Sequence, residues 1–284
     1  MSDPVDRGSM PDIPNVCLNL SNRPENVLVG RQALTGVAEN RGLDPIETND
    51  LNTAVTEAGN NVVQHAYEGA EGPLEVEIYT QTGAVTVVVR DRGIGIRPRP
   101  GDEPRAGIGL PVIHALTQSV EFRNLQGGGT EVRMQFAAPA ARALEPLEAD
   151  EDGAHIPPES TGAVQMTLSP AALAQSVLPR VLSALAARAH FSTDRISDLQ
   201  LVADAVAAGA EGSIEGSHLG VGVNLAPRDV ELQIGPLRAG SARRLMETTA
   251  ADGMGSLIEH LSDDHHVSSY DASETLALRL LQPR

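Results

Sequence analysis

The chain contains no lysine; all 21 of its Lys-plus-Arg positions are arginine. That absence excludes a Walker A lysine, a Schiff-base lysine and a lysine general base. Tryptophan is also absent and aromatics make up 2% of the residues, so the core has to be built from Ala, Val, Leu and Ile. Cys17 is the single cysteine, which rules out an intrachain disulfide and fits a reducing compartment. There is no run of about 18 apolar residues, so no transmembrane helix is expected. The N-terminus is polar and acidic and does not read as a signal peptide; the expectation is a cytoplasmic protein. Positive charge is in deficit: the formal net charge is -17, which argues against DNA, RNA or an anionic membrane as partners through bulk electrostatics. What remains is 284 residues, 41% of them hydrophobic, enough for two domains of ordinary size.

Residues 1–14 carry three prolines and no periodicity and read as a disordered tail. Residues 16–20 predict a short strand, followed by a helix capped by Ser21 or Asn22 and stopped at Arg41-Gly42. A second helix is expected from about Glu47 to Tyr67. Residues 74–79 and 85–90 predict a hairpin around Thr82-Gly83, with a helix at 110–117 and strands at 120–122 and 131–136. Residues 138–162 are rich in Ala, Pro, Asp and Glu and read as a solvated linker. The pattern then restarts: a strand at 164–168, a helix from Pro170 to about His190, and a helix containing Val202 to Ala205. Strands at 219–225 and 230–234 come next, the second ending at Gly235-Pro236. Gly253 to Leu261 mirrors Gly107 to Ala115, and a last strand at 275–280 mirrors 131–136. One unit used twice is the simplest account.

The most informative stretch runs from Glu57 to Tyr67. Glu57 and Asn61 are four residues apart, hence on one helix face. Taken alone, the pair also describes a wet face on an Ala- and Val-rich helix. Yet Asn is a weak helix former, and a carboxamide oxygen suits Mg²⁺, which takes few protein ligands beside phosphates and waters. Glu57 could orient or deprotonate a hydroxyl. Asp91-Arg92-Gly93-Ile94-Gly95 follows an apolar strand. It is either a strand-ending turn or an acceptor for an adenine amino group with glycines that admit the ring. Gly107-Ile108-Gly109-Leu110 opens a helix whose free N–H groups can hold phosphates without lysine. His65 is expected to pack at a helix end beside Tyr67. His265-His266 lacks the partners of a metal site.

With Gly129-Thr130 added, these motifs resemble those of the GHKL ATPase superfamily. Residues 15–137 most resemble the bacterial anti-sigma-factor serine/threonine kinases. The resemblance implies a two-layer α/β sandwich, the GHKL or Bergerat ATP-binding fold, here in tandem. It implies ATP and Mg²⁺ as cofactors, with Asn61 on the metal and Glu57 as catalytic base. Asp91 would bind the adenine amino group, Gly93 and Gly95 would flank the base and the lid, Gly107, Gly109 and Leu110 would face the phosphates, and Thr130 would support the adenine pocket. Arg31, on the first helix, would touch a partner protein. The lid, Arg97 to Ala106, is short and holds three arginines and three prolines. Arg105 either reaches a γ-phosphate or merely solvates that loop.

Residues 163–284 are expected to be a degenerate copy without a nucleotide site. Aligning Val202 to Ala205 with Val55 to Ala58 puts Ala208 opposite Asn61, and a one-residue shift supplies no Asn either. The fused copy would make an intramolecular pseudo-dimer of a family whose members work as homodimers. The implied activity is protein serine/threonine phosphorylation of a STAS-domain anti-anti-sigma protein, with a sigma factor as a further partner. The alternative is a non-catalytic module in which ATP only orders a protein-binding surface.

Overall fold

The computed structural model describes residues 13–95, 109–139, 163–247, 256–270 and 273–283. The first half runs β1 (Val16–Ser21), α1 (Pro24–Arg41), α2 (Pro45–Asn61), a π-helical turn Val62–Ala66, β2 (Pro73–Gln81), β3 (Ala84–Asp91), α3 (Gly109–Leu116), β4 (Ser119–Asn124) and β5 (Thr130–Ala137). The second runs β6 (Val164–Leu168), a 3-10 turn Ala171–Leu173, α4 (Ala174–Arg188), α5 (Thr193–Ser213), β7 (Leu219–Ala226), β8 (Asp229–Arg238), α6 (Ser241–Met246), α7 (Leu257–Leu261), β9 (Asp264–Tyr270) and β10 (Ser273–Leu281). All ten strands form one sheet in the order β4-β5-β3-β2-β1-β6-β7-β8-β10-β9, so an α/β sandwich is present, with the two halves joined edge to edge. The joint is the antiparallel pairing of β1 with β6, Val16 opposite Leu168 and Leu20 opposite Val164.

Alternation explains the layers. Val16, Leu18 and Leu20 are buried while Cys17, Asn19 and Ser21 between them are half-buried. The buried set packs with Ala33, Leu34 and Val37 of α1 and Leu51, Ala54 and Val55 of α2. On the other sheet face of the first half, Arg90 lies among three carboxylates, Glu75 at 2.7 Å, Glu77 at 2.6 Å and Glu131 at 2.8 Å.

Several expectations about local structure change. α1 is not capped by Ser21 or Asn22: Arg23 is its N-cap, no side chain caps it, and Pro24 supplies the pre-set φ of a first helical residue. The Asn22 side chain instead holds a loop, donating to Ala70 O and accepting from Gly72 N. α2 begins earlier than Glu47, because Asp44 and Glu47 form a reciprocal capping box. The helix does not run uniformly to Tyr67; it widens into the π turn directly after Asn61. β8 does not end at Gly235-Pro236 but continues to Arg238, with a register shift in β10 between Glu274 and Leu276 accommodating the irregularity. α6 and the edge strand β9 were not expected.

Several caps and buried positions recur at one spacing in the two halves. The shift that carries Val16 to Val164 also carries Gly42 to His190, both with positive φ, and Asp44 to Ser192, both N-caps. It superposes the buried positions of α2 and α5, Leu51 on Leu199 and Val55 on Ala203. On this shift Ala205 stands opposite Glu57 and Gly209 opposite Asn61, one residue from the alignment read in sequence. Further along, the shift that carries Leu74 to Leu219 carries Asp91 to Pro236.

Candidate functional site

The site is built around the C-terminal end of α2. Glu57 and Asn61 are half-buried, one turn apart, on the side where α3 packs. Gly109, the first residue of α3, lies so close to Glu57 that a Cβ there would be 2.8 Å from Glu57 Oε2. The carboxylate therefore faces the opening turn of a helix, where unpaired N–H groups gather. Leu110 follows, 40% exposed.

At the other end of the π turn lies the Asp91–Gly95 segment. Asp91, the last residue of β3, is buried, and its Oδ1 accepts from Gly93 N at 2.8 Å. Gly93 presses on the helix: a Cβ on it would be 2.0 Å from Ala66 O, and the next N–H, that of Ile94, donates to the same carbonyl at 2.9 Å. The glycine run before β5 closes from the opposite side. Gly129, at φ 99°, would put a Cβ 2.0 Å from Asp91 O. Gly95, at φ 72°, lies against the Asn124 side chain and Gly129 O. Thr130 is the half-buried partner of Asn124 in the β4–β5 register. Asp91, Gly93, Gly95 and Thr130 thus converge, and the short helical segment from Glu57 to Ala66 links them to Gly109.

Arg31 is exposed on α1 and takes no part in this cluster. Arg105, Gly107, the lid from Arg97 to Ala106, the tail 1–12, residues 140–162 and Gly253-Met254-Gly255 lie outside the described residues. His65 is exposed at the end of the π turn. His265 and His266 lie on β9, and among the described residues no group of three His, Cys, Asp or Glu could hold a metal ion.

Sequence reasoning missed three contributors. The Ala66 carbonyl carries no sequence signal, since any residue has one. Asn124 lies just before a glycine run, a pattern that points to a turn. Tyr67 has no role assigned from the sequence; its hydroxyl accepts from Arg92 N at 2.8 Å and donates to Pro73 O at 2.5 Å.

In the second half the same ground is filled. Leu245 of α6 packs where Gly209 has no side chain, at 2.2 Å from the position of a Cβ. Leu245, Met246 and Ala242 are all buried. Pro236 stands where Asp91 would, without an acceptor side chain. Among the described residues, one concavity of about 430 Å³ lies on the sheet face around Glu231, His266 and Arg279, and one of about 420 Å³ at the β1–β6 junction around Asn26 and Arg188. Neither overlaps the cluster, whose assignment rests on its polar groups and glycine approaches.

The donor set fits a Mg-nucleotide. Buried Asp91 sets a carboxylate among glycines that pack directly on backbone, and Asn61 offers a neutral oxygen ligand one turn from Glu57.

Comparison with known proteins identifies the family of the first half. Residues 20–136 match the family described as histidine kinase-like ATPase domain. The anti-sigma F factor of Thermoanaerobacter pseudethanolicus is 30% identical over 129 residues, which cover 41% of this chain and 89% of that protein. That of Clostridium beijerinckii is 33% identical over 125 residues, 39% of this chain and 85% of that protein. Through this region the chain belongs to the histidine kinase-like, or GHKL, ATPase superfamily, in its anti-sigma-factor branch.

Proposed function

We propose that the chain binds Mg-ATP through residues 15–137 and phosphorylates a serine or threonine of a STAS-type anti-anti-sigma protein, with a sigma factor as its second partner, in the cytoplasm. The observation that carries this reading is that the helical segment bearing Glu57 and Asn61 is met at one end by Gly109, against Glu57, and at the other by Gly93, against the Ala66 carbonyl beside buried Asp91. Asn61 would hold the metal. Asp91 would accept from the adenine amino group, with Gly93 and Gly95 admitting the ring and Thr130 behind it. Gly107, Gly109 and Leu110 would present N–H groups to the phosphates, and Arg105 would add positive charge from the lid. ATP supplies the phosphoryl group; Glu57 would take the proton from the incoming hydroxyl. Arg31 would belong to the surface that meets the partner.

Residues 163–284 are in this reading a degenerate copy that binds no nucleotide. Leu245 at the counterpart of Asn61 and Pro236 at the counterpart of Asp91 support it. The β1–β6 pairing supports a built-in pseudo-dimer, one chain doing the work of two subunits. Residues 138–162 would be the linker between them.

Calorimetric titration of ATP with Mg²⁺ into the full chain tests the reading. The expected result is one site per chain, lost in Asn61→Ala; two sites would contradict the degenerate second half. Glu57→Ala should keep ATP binding and lower phosphate transfer by about 10²–10⁴-fold. Transfer that is undetectable in wild type would leave the non-catalytic ATP-dependent binding module. Sedimentation should show a monomer.

A further inference from the structure

The segment that would receive the base has little side-chain anchorage of its own, since Gly93 and Gly95 contribute none. Its position is set by hydrogen bonds to the end of the π turn. The Ile94 N–H donates to Ala66 O at 2.9 Å. The Arg92 N–H donates to Tyr67 Oη at 2.8 Å, and Tyr67 Oη donates in turn to Pro73 O at 2.5 Å. One hydroxyl therefore ties three chain segments together: the end of the helix, the first residue of β2 and the first residue after β3. The ring is seated too. Gly72 lies under it so closely that a Cβ there would be 2.2 Å from Tyr67 Cε1. Gly72 is itself pinned by Asn22, whose Oδ1 accepts from Gly72 N at 2.9 Å and whose N–H donates to Gly72 O at 2.9 Å.

We propose that Tyr67 is a positioning residue for the nucleotide base: its hydroxyl, bridging Arg92 N–H and the Pro73 carbonyl, sets where Asp91 and the Gly93–Gly95 turn lie. The proposal rests on the ATP-binding reading above. The bridge requires a neutral phenol, which donates one bond and accepts the other. Burial pushes the phenol above its ordinary range; the bond from Arg92 N–H opposes this and the nearby Asp91 charge adds to it. The proton therefore stays on Tyr67 throughout the neutral range. Phenylalanine would keep the ring on Gly72 and leave both Arg92 N–H and Pro73 C=O without this partner.

The test uses full-length wild type, Tyr67→Phe and Gly72→Ala. The last displaces the ring from below while retaining the hydroxyl. ATP affinity is measured by calorimetry, amide exchange at Arg92 is followed without nucleotide, and thermal midpoints are recorded. Tyr67→Phe should weaken ATP binding about tenfold, as expected for one hydrogen bond lost with its partners left unpaired. Exchange at Arg92 should accelerate and the midpoint should fall by no more than a few degrees. Gly72→Ala should shift affinity in the same direction, and it decides the matter if Tyr67→Phe does not fold. Unchanged ATP affinity in the variant that folds overturns the positioning role alone. So does a loss of affinity that comes only with a collapsed midpoint, which marks a structural role. A wild-type chain that binds no ATP overturns the nucleotide reading and the positioning role with it.

Discussion

Gly93 and Gly30 show how differently a missing side chain acts in this chain. Gly93 faces backbone: its Cβ would overlap the Ala66 carbonyl oxygen, and backbone cannot swing away as a side-chain tip can. Gly93→Ala should cost about 1–3 kcal/mol by forcing the loop off the helix, read as a lowered urea midpoint. Gly30 sits inside α1 with nothing within 4 Å of a Cβ, so Gly30→Ala should stabilise by about 0.5–1 kcal/mol through reduced unfolded-state freedom. The same denaturation series checks both signs. Cys17 makes a different kind of prediction. Burial, helped by Glu75 and Glu77 and opposed by Arg90, pushes its thiol up to about 12. The folded chain should therefore react slowly with a thiol reagent at pH 8.5, and the urea-unfolded chain rapidly. Because the proton is held in the fold and released on unfolding, this group's contribution to stability should decline as pH rises above about 9, toward the folded value.

At the scale of elements, the sequence displayed what repeats and hid what is irregular. The β1, β2 and β3 strands, the Gly42 helix stop and the Glu57–Asn61 face were legible because each rests on periodicity or on a residue with one local meaning. The π turn was not. Val62 to Ala66 has the composition of ordinary helix, and its widening serves contacts with Gly93 and Ile94, which lie far along the chain. Ser21 and Asn22 fit the pattern of a cap, yet Asn22 is more strongly engaged by the Ala70–Gly72 loop. β9 escaped notice because all seven of its residues are exposed, leaving no alternation to read. The Arg90 cluster was equally invisible, since its partners come from three strands. Burial would lower the Arg90 pKa, but the hydrogen bonds that its guanidinium donates to Glu77, Glu131 and Glu75 outweigh it and hold it charged. Arg90→Met should leave three crowded, half-buried carboxylates without their cation and destabilise by about 1.5–3 kcal/mol, the range for hydrogen bonds to charged groups. Adding Glu131→Gln to that variant should recover part of the loss; a double variant no more stable than the single one would show that carboxylate crowding is not the cause.

For the molecule as a whole, the decisive contact is where two helices from different halves touch backbone to backbone. A Cβ on Gly36 of α1 would lie 2.5 Å from Ser176 O and 2.9 Å from Val177 Cα of α4. Around this crossing Arg180 pairs with Glu39, and Arg188 Nη1 donates to Asn26 Oδ1 at 2.6 Å. Beneath it, β1 and β6 close the sheet. These layers share one geometry, because α1 cannot move away from α4 without straining the strand pairing below. Gly36→Leu inserts bulk where neither backbone can yield, so the halves should separate at the joint rather than each losing its own core. The exposed edges of β1 and β6 would then be free to pair with those of another chain. The expected outcome is a lower thermal midpoint together with dimers in sedimentation that grow with concentration. If residues 15–137 carry the nucleotide site by themselves, ATP binding should survive in that dimer at the original stoichiometry of one per chain. A Gly36→Leu chain that stays monomeric and melts like wild type would mean that the helix crossing does not hold the halves together.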